Sequence, residues 1–256
     1  MSMLSAEVLK LKRSQVWAVV VVLPLVMSAL GVVNTVLSDT AASGTGLAEG
    51  WDTLWLGTAV FFGLFPLAPG VAVLASLVWR PEHRGGNWTA LMSGPVSSAR
   101  IVVAKTAVVA GLGIAMLAVQ LAAVWVLGAA FFGLDGALPP RYLAVAAVTA
   151  AAVVPLAALQ SLLSMVMRSF AAPIGVALVG AGLAVVLMTA KVHAAIAVLP
   201  YALATRASQL ASGAFGDSGA LTAGSVAAVL AATVVLGGVV TAIAVRVLDR
   251  RDVVTA

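Results

Sequence analysis

From Val16 to Leu37 the chain runs 22 residues without a charged side chain, and five more stretches of that kind follow: Leu54–Val78, Thr106–Phe131, Leu143–Met167, Ala171–Thr189 and Leu221–Val245. A helix needs about 20 predominantly apolar residues to cross the hydrocarbon of a bilayer. In lipid every backbone N–H and C=O must find its partner inside the segment, which a helix provides. The ten-residue alternation of a membrane barrel strand is absent. Composition leads the same way: 62% of the 256 residues are hydrophobic and 9% charged, against about 25% charged in a soluble domain. So little charge cannot cover a water-facing surface, and so many apolar side chains exclude a disordered chain. The expected fold is an all-α integral membrane protein with six transmembrane helices. No linker and no repeat of about 20–50 residues divides it, so residues 1–256 are expected to form a single transmembrane domain.

The charges that remain report topology. Lys10, Lys12, Arg13, Arg80, Arg84, Arg100, Lys105, Arg168, Arg246, Arg250 and Arg251 fall in one set of connecting segments, and only Arg141, Lys191 and Arg206 in the other, 11 against 3. A Lys/Arg excess marks the cytoplasmic side, so both termini are expected there. The net charge of +5 is thereby a topology signal, and no nucleic-acid partner is implied. With no cysteine and only His83 and His193, neither a disulfide framework nor a metal centre is expected.

Lys10, Lys12 and Arg13 before an apolar run imitate a secretory leader, but the run is longer than the usual ~7–15 residues and no small-x-small site follows. A retained first span is expected. Before it, Leu4, Val8 and Leu11 recur at helical spacing, with Glu7, Lys10 and Arg13 elsewhere on the wheel. That pattern predicts a short amphipathic helix in the interface. Pro66 and Pro69 interrupt the second span, and proline removes a donor and bends a helix; Pro155 sits in the fourth. The long connection 190–220 mixes apolar residues with Lys191, His193, Arg206 and Gln209. It predicts an outer re-entrant or interfacial hairpin broken at Pro200.

The most informative stretch lies between spans two and three, residues 80–100. Pro81 and Gly85-Gly86 interrupt the chain, Asn87 is a good N-cap, and Gly94-Pro95 a stop. A helix of about two turns is expected between them. Trp88, Leu91 and Met92 stand at i, i+3 and i+4 and share one face. Such a face either lies on headgroups or inserts into a groove on a cytosolic partner; physical reasoning alone leaves both open. Ser97 or Ser98 supplies a start signal for the third span.

The run Pro81-Glu82-His83-Arg84-Gly85-Gly86-Asn87-Trp88-Thr89-Ala90-Leu91, then Gly94-Pro95-Val96-Ser97, Arg100 and Lys105, resembles the permease subunits of type-2 ABC transporters. Size and pattern are most similar to the lantibiotic-immunity and antibiotic-export branch. The resemblance implies that the 80–100 loop is a coupling helix docking on a separate ATP-binding subunit. Trp88, Leu91 and Met92 would be its docked face, with Glu82, Arg84, Asn87 and Arg100 as further contacts. The chain has no G-x-x-x-x-G-K-[ST] phosphate loop, so ATP and magnesium are expected on the partner and no cofactor here. Two ATPases and a second permease, identical or paralogous, are implied, in a bacterial plasma membrane.

Other chemistry finds little support. Gly216-Asp217-Ser218-Gly219 imitates a serine-protease tetrapeptide, but a His base and an Asp orienter are needed as well. Asn87-Trp88-Thr89 fits a glycosylation sequon on the cytoplasmic side. All nine acidic residues fall outside the predicted spans, which disfavours a carboxylate proton relay. Asn34, Gln120 and Gln160 inside spans are either interhelical hydrogen-bonding groups or, with Phe61 and Phe65, part of a substrate path. The expected function is ATP-driven export of an amphipathic peptide or lipophilic antibiotic. The alternatives are an ATP-independent transporter or channel, and a scaffold that recruits a cytosolic protein.

Overall fold

The computed structural model describes residues 7, 9, 11, 14–39, 50–84, 88, 96–134, 137–214 and 217–252. Among them every regular element is helical. Five helices are long and apolar enough to cross a membrane: α1 (Val16–Asp39), α4 (Ser98–Phe131), α5 (Pro140–Val166), α6 (Ala171–Thr189) and α8 (Ala223–Asp252). A bent pair, α2 (Gly50–Leu64) and α3 (Leu67–His83), passes the same test jointly, with 46° between its halves. Between α6 and α8 lies α7 (Pro200–Gln209), preceded by a 3-10 turn His193–Ala197.

The bend falls where the prolines stand. Neither Pro66 nor Pro69 can donate a backbone hydrogen bond, so the ladder stops at Phe65–Pro66 and restarts with Gly70 N donating to Pro66 O at 3.0 Å. A wide π turn over Leu56–Val60 precedes it. Pro155 leaves α5 continuous. The third helix begins at Ser98, eight residues before the expected uncharged run at Thr106, after an extended Ser97 whose carbonyl accepts from Ile101 N at 3.2 Å.

Helix α5 lies at the centre, packed on α3, α4, α7 and α8. In its most apolar stretch 56% of the residues are buried, against 17% in α8, which presents most of its surface outward. Gly180 and Gly113 are among the glycines that permit close contacts: a Cβ on Gly180 would lie 2.4 Å from the Tyr201 ring, and one on Gly113 2.8 Å from Val153. Gly111 and Gly182, each two residues away on the same helix, and Gly237 and Gly238 have nothing within 4 Å of such a Cβ.

The connection after α6 differs from a hairpin broken at Pro200. Pro200 opens α7 from its first turn, where a missing N–H costs nothing, and α7 is buried against α5 and α6. Asp217 then staples the following loop. Its carboxylate accepts from Arg206 Nη1 at 2.8 Å and from the backbone N–H groups of Gly219 at 2.9 Å and Gly213 at 3.4 Å. The tetrapeptide around it therefore has a structural use for its aspartate, while Ser218 is exposed.

Candidate functional site

The ends of α3, α4, α5 and α8 meet in an apolar cluster of Trp79, Ile101, Val102, Met165, Ala244 and Leu248. Arg80, Arg84, Arg100, Arg168, Arg246 and Arg250 stand on these ends and on the α5–α6 turn, which makes this the basic end of the bundle. Inside it is Lys105. Because α4 starts at Ser98, Lys105 falls two turns within the helix and has 0% exposure. Its Nζ donates to Glu7 Oε2 at 3.0 Å, Glu82 Oε1 at 2.9 Å and Val78 O at 3.3 Å. All three N–H bonds of the ammonium thus have an acceptor, and the charge also lies 4.9 Å from the Trp79 ring centroid. A buried ammonium is tolerated only when paired and hydrogen-bonded to this degree. The consequence is mechanical. One side chain on α4 holds together the 3-10 turn that ends α3 (Arg80–His83), the last turn of α3 and the segment that precedes α1.

A second set of contacts anchors Trp88. Its indole stacks on Trp79 with centroids 6.0 Å apart and planes at 22°, and its Nε1–H donates to His83 Nδ1 at 3.2 Å. His83 Nε2 lies 2.8 Å from Ser164 O. A carbonyl oxygen can only accept, so Nε2 carries the proton and Nδ1 is left as the acceptor for Trp88. Both ring nitrogens are satisfied in this one tautomer. The chain Trp88–His83–Ser164 ties the start of the 85–95 segment to the end of α5.

Of the residues expected at the ATPase contact, Glu82 is 4% exposed and turned inward to Lys105, and Trp88 is half-buried against the chain's own core. Arg84 and Arg100 are exposed. Asn87, Leu91 and Met92 lie outside the described residues, and with them the predicted two-turn helix. Glu7, expected on the polar side of an interfacial helix, is buried on Lys105 while Leu9 is exposed.

The expected path residues do not form one surface. Gln120 is 2% exposed, and neither its Nε2 nor its Oε1 has a hydrogen-bond partner. It lines a cavity of about 30 Å³ with Trp55, Thr149 and Ser208, room for a water molecule. Gln160 Nε2 donates to the Tyr201 hydroxyl oxygen at 2.7 Å, linking α5 to α7, and its Oε1 has no partner. Phe61 and Phe65, 47% and 40% exposed, instead line an entirely apolar groove of about 780 Å³ between α1, the Pro66 bend and Leu178 of α6. The side chain of Asn34 lies outside the described residues. At the opposite end of the bundle Arg141 and Tyr142 both donate to Asp52, and Tyr142 stacks on Trp55 at 4.4 Å.

Sequence reasoning counted Lys105 as one more topology charge and missed the ion cluster. The available signal was a single lysine eight residues past Ser97, on the same helix as the uncharged run.

A family model described as ABC-2 family transporter protein matches residues 3–184, which takes in all three members of the Lys105 cluster. No curated protein and no solved structure matches the chain.

Proposed function

The chain belongs to the ABC-2 transporter family as a multi-pass membrane permease, a non-catalytic transport subunit, and we propose that it exports an amphipathic peptide of the lantibiotic kind, or a lipophilic antibiotic, at the expense of ATP hydrolysed by a partner. ABC-2 permeases generally pair with ABC ATPase subunits that bind the nucleotide. In this reading residues 1–256 act as one transmembrane domain in a bacterial plasma membrane, with the basic end and both termini in the cytoplasm. Two ATPases dock at that end, and a second permease, identical or paralogous, completes the pathway.

The observation that carries the coupling role is the buried Lys105 cluster. A force applied to the 82–92 segment by a closing ATPase would reach α4 through Glu82–Lys105 and α5 through Trp88–His83–Ser164. Glu82 and Trp88 then act from within as anchors, while Asn87, Leu91, Met92, Arg84 and Arg100 meet the partner. The apolar groove supports a lipophilic substrate: Phe61 and Phe65 stand a helical turn apart beside the break in the span and line the groove. Gln120, Gln160 and Asn34 are assigned the polar part of the path.

The test is purification of the tagged chain in mild detergent from its native host, with its companions identified by mass. An ATP-binding subunit in near-equal amount, lost from a Trp88→Ala variant that still elutes as a folded protein, is the expected result. Recovery of the folded chain without any ATPase would overturn the reading in favour of a stand-alone transporter or scaffold.

A further inference from the structure

Three guanidinium groups, those of Arg80, Arg84 and Arg168, line one pocket of about 230 Å³ where the end of α3 faces the α5–α6 turn. Among the described residues Lys105 is paired with two glutamates, Arg141 with Asp52 and Arg206 with Asp217, whereas Arg80, Arg84 and Arg168 are exposed and, unlike the likewise exposed Arg100 and Arg246, share one pocket. None of the three pocket arginines has an ion-pair partner among the described residues, and no acidic residue lines the pocket. Like charges gathered around one pocket repel, and an anion among them relieves that repulsion.

The rest of the wall suits an anion as well. Arg80 is steadied by the face of Phe170, its guanidinium carbon 5.5 Å from the ring centroid. Ser169 accepts from Ala172 N at 3.3 Å, so the positive end of the α6 dipole opens beside the pocket. His83 lines it too, but both ring nitrogens are already engaged by Ser164 and Trp88, which leaves the arginines to hold the ligand. Liquid water takes about 30 Å³ per molecule, so a pocket of 230 Å³ holds more than a bare ion. It lies at the ends of membrane spans, the depth of lipid headgroups, and the exposed apolar side chain of Phe170, at 41%, lines it.

We propose that Arg80, Arg84 and Arg168 form a phosphate site, and that its occupant is the phosphodiester headgroup of an anionic glycerophospholipid. Guanidinium groups bind phosphate oxygens through paired N–H donors, and basic pockets between spans hold anionic headgroups in this manner. Arg84 is shared with the proposed ATPase contact, so Arg80 and Arg168, which that contact does not include, are the residues to change.

The experiment is native mass spectrometry of the full chain released from nanodiscs of equal phosphatidylglycerol and phosphatidylcholine, with and without millimolar inorganic phosphate. The expected result is retained phosphatidylglycerol that survives added phosphate. Retention should fall about fivefold for each arginine removed in Arg80→Gln/Arg168→Gln, return largely with Arg80→Lys/Arg168→Lys, and stay unchanged in Arg246→Gln/Arg250→Gln, which loses the same charge elsewhere at this end. If inorganic phosphate itself adds to the chain in an arginine-dependent way and no lipid is held, the phosphate site stands and its source is a free anion. Lipid retention that is equal in Arg80→Gln/Arg168→Gln and the unaltered chain, with no phosphate adduct, overturns the proposal. A folded Arg80→Lys/Arg168→Lys protein keeps that reading separate from a folding defect.

Discussion

Lys105 Nζ and Glu7 Oε2 lie 3.0 Å apart across 98 residues of chain, and neither side chain is more than 5% exposed. The pair joins the segment before the first span to the second turn of the third. Glu82 closes on the same ammonium at 2.9 Å, so three separate parts of the sequence share one buried charge cluster.

Removing the lysine strands two carboxylates in the bundle. Breaking a buried pair by deleting one partner costs about 3–5 kcal/mol, so Lys105→Met should give poor yield and a strongly lowered thermal midpoint in detergent. In a cycle with Glu7→Gln, the two changes should couple by about 0.5–3 kcal/mol. Additive effects in that cycle would mean that the ion pair contributes nothing in the membrane.

Trp88→Ala removes a stacked aromatic pair, worth about 0.5–1.5 kcal/mol, and one hydrogen bond. The fold should survive with a midpoint a few degrees lower, while transport and ATPase co-purification are lost. His83→Ala cuts the same chain at its middle and should impair transport without exposing Lys105. A transport-competent Trp88→Ala protein would separate the anchor from coupling.

Gln120 carries a buried amide with no partner at either atom. An unsatisfied buried polar group costs about 1–3 kcal/mol, so Gln120→Leu should raise the thermal midpoint. If the amide serves the substrate path, export falls at the same time. A lowered midpoint would mean that the adjoining cavity holds a water or ligand bonded to the amide.

Gly180 faces the Tyr201 ring with no space for a methyl group: a Cβ there would sit 2.4 Å from a ring carbon. Gly180→Ala should push α6 from α7 and destabilise by about 1–3 kcal/mol, the usual cost of overpacking. Gly182→Ala, which meets nothing within 4 Å, is the matched control and should leave the midpoint in place. Equal midpoints for the two variants would contradict the α6–α7 contact.

Much of the bundle was legible because each span is a local property. The uncharged runs, the Pro66 break and the Ser97 start can all be read without knowing what touches what. Boundaries were less legible: Lys105 looked like the edge of a span because charge ordinarily marks that edge, yet two glutamates from distant positions neutralise it inside. Asp217 was read through a borrowed tetrapeptide, whereas its role follows from Arg206 on the helix before it and two glycine N–H groups in the loop. Gly111 and Gly113 on α4 stand two residues apart, as do Gly180 and Gly182 on α6, yet only Gly113 and Gly180 meet a neighbour, because spacing gives a face and not its occupant.

By itself the sequence determined that this chain lives in a membrane as helices, which uncharged runs are the candidate spans, and that the family resemblance centres on residues 81–105. Hydrocarbon imposes those results segment by segment, since each helix must satisfy its own backbone and carry its own apolar surface. Only the tertiary structure decided that Glu82 and Trp88 point into their own bundle, that Gln120 and the two phenylalanines belong to different surfaces, and that three arginines converge on one pocket. Those outcomes depend on which charges and rings meet across distant spans. Such pairings leave no periodic trace in any one segment.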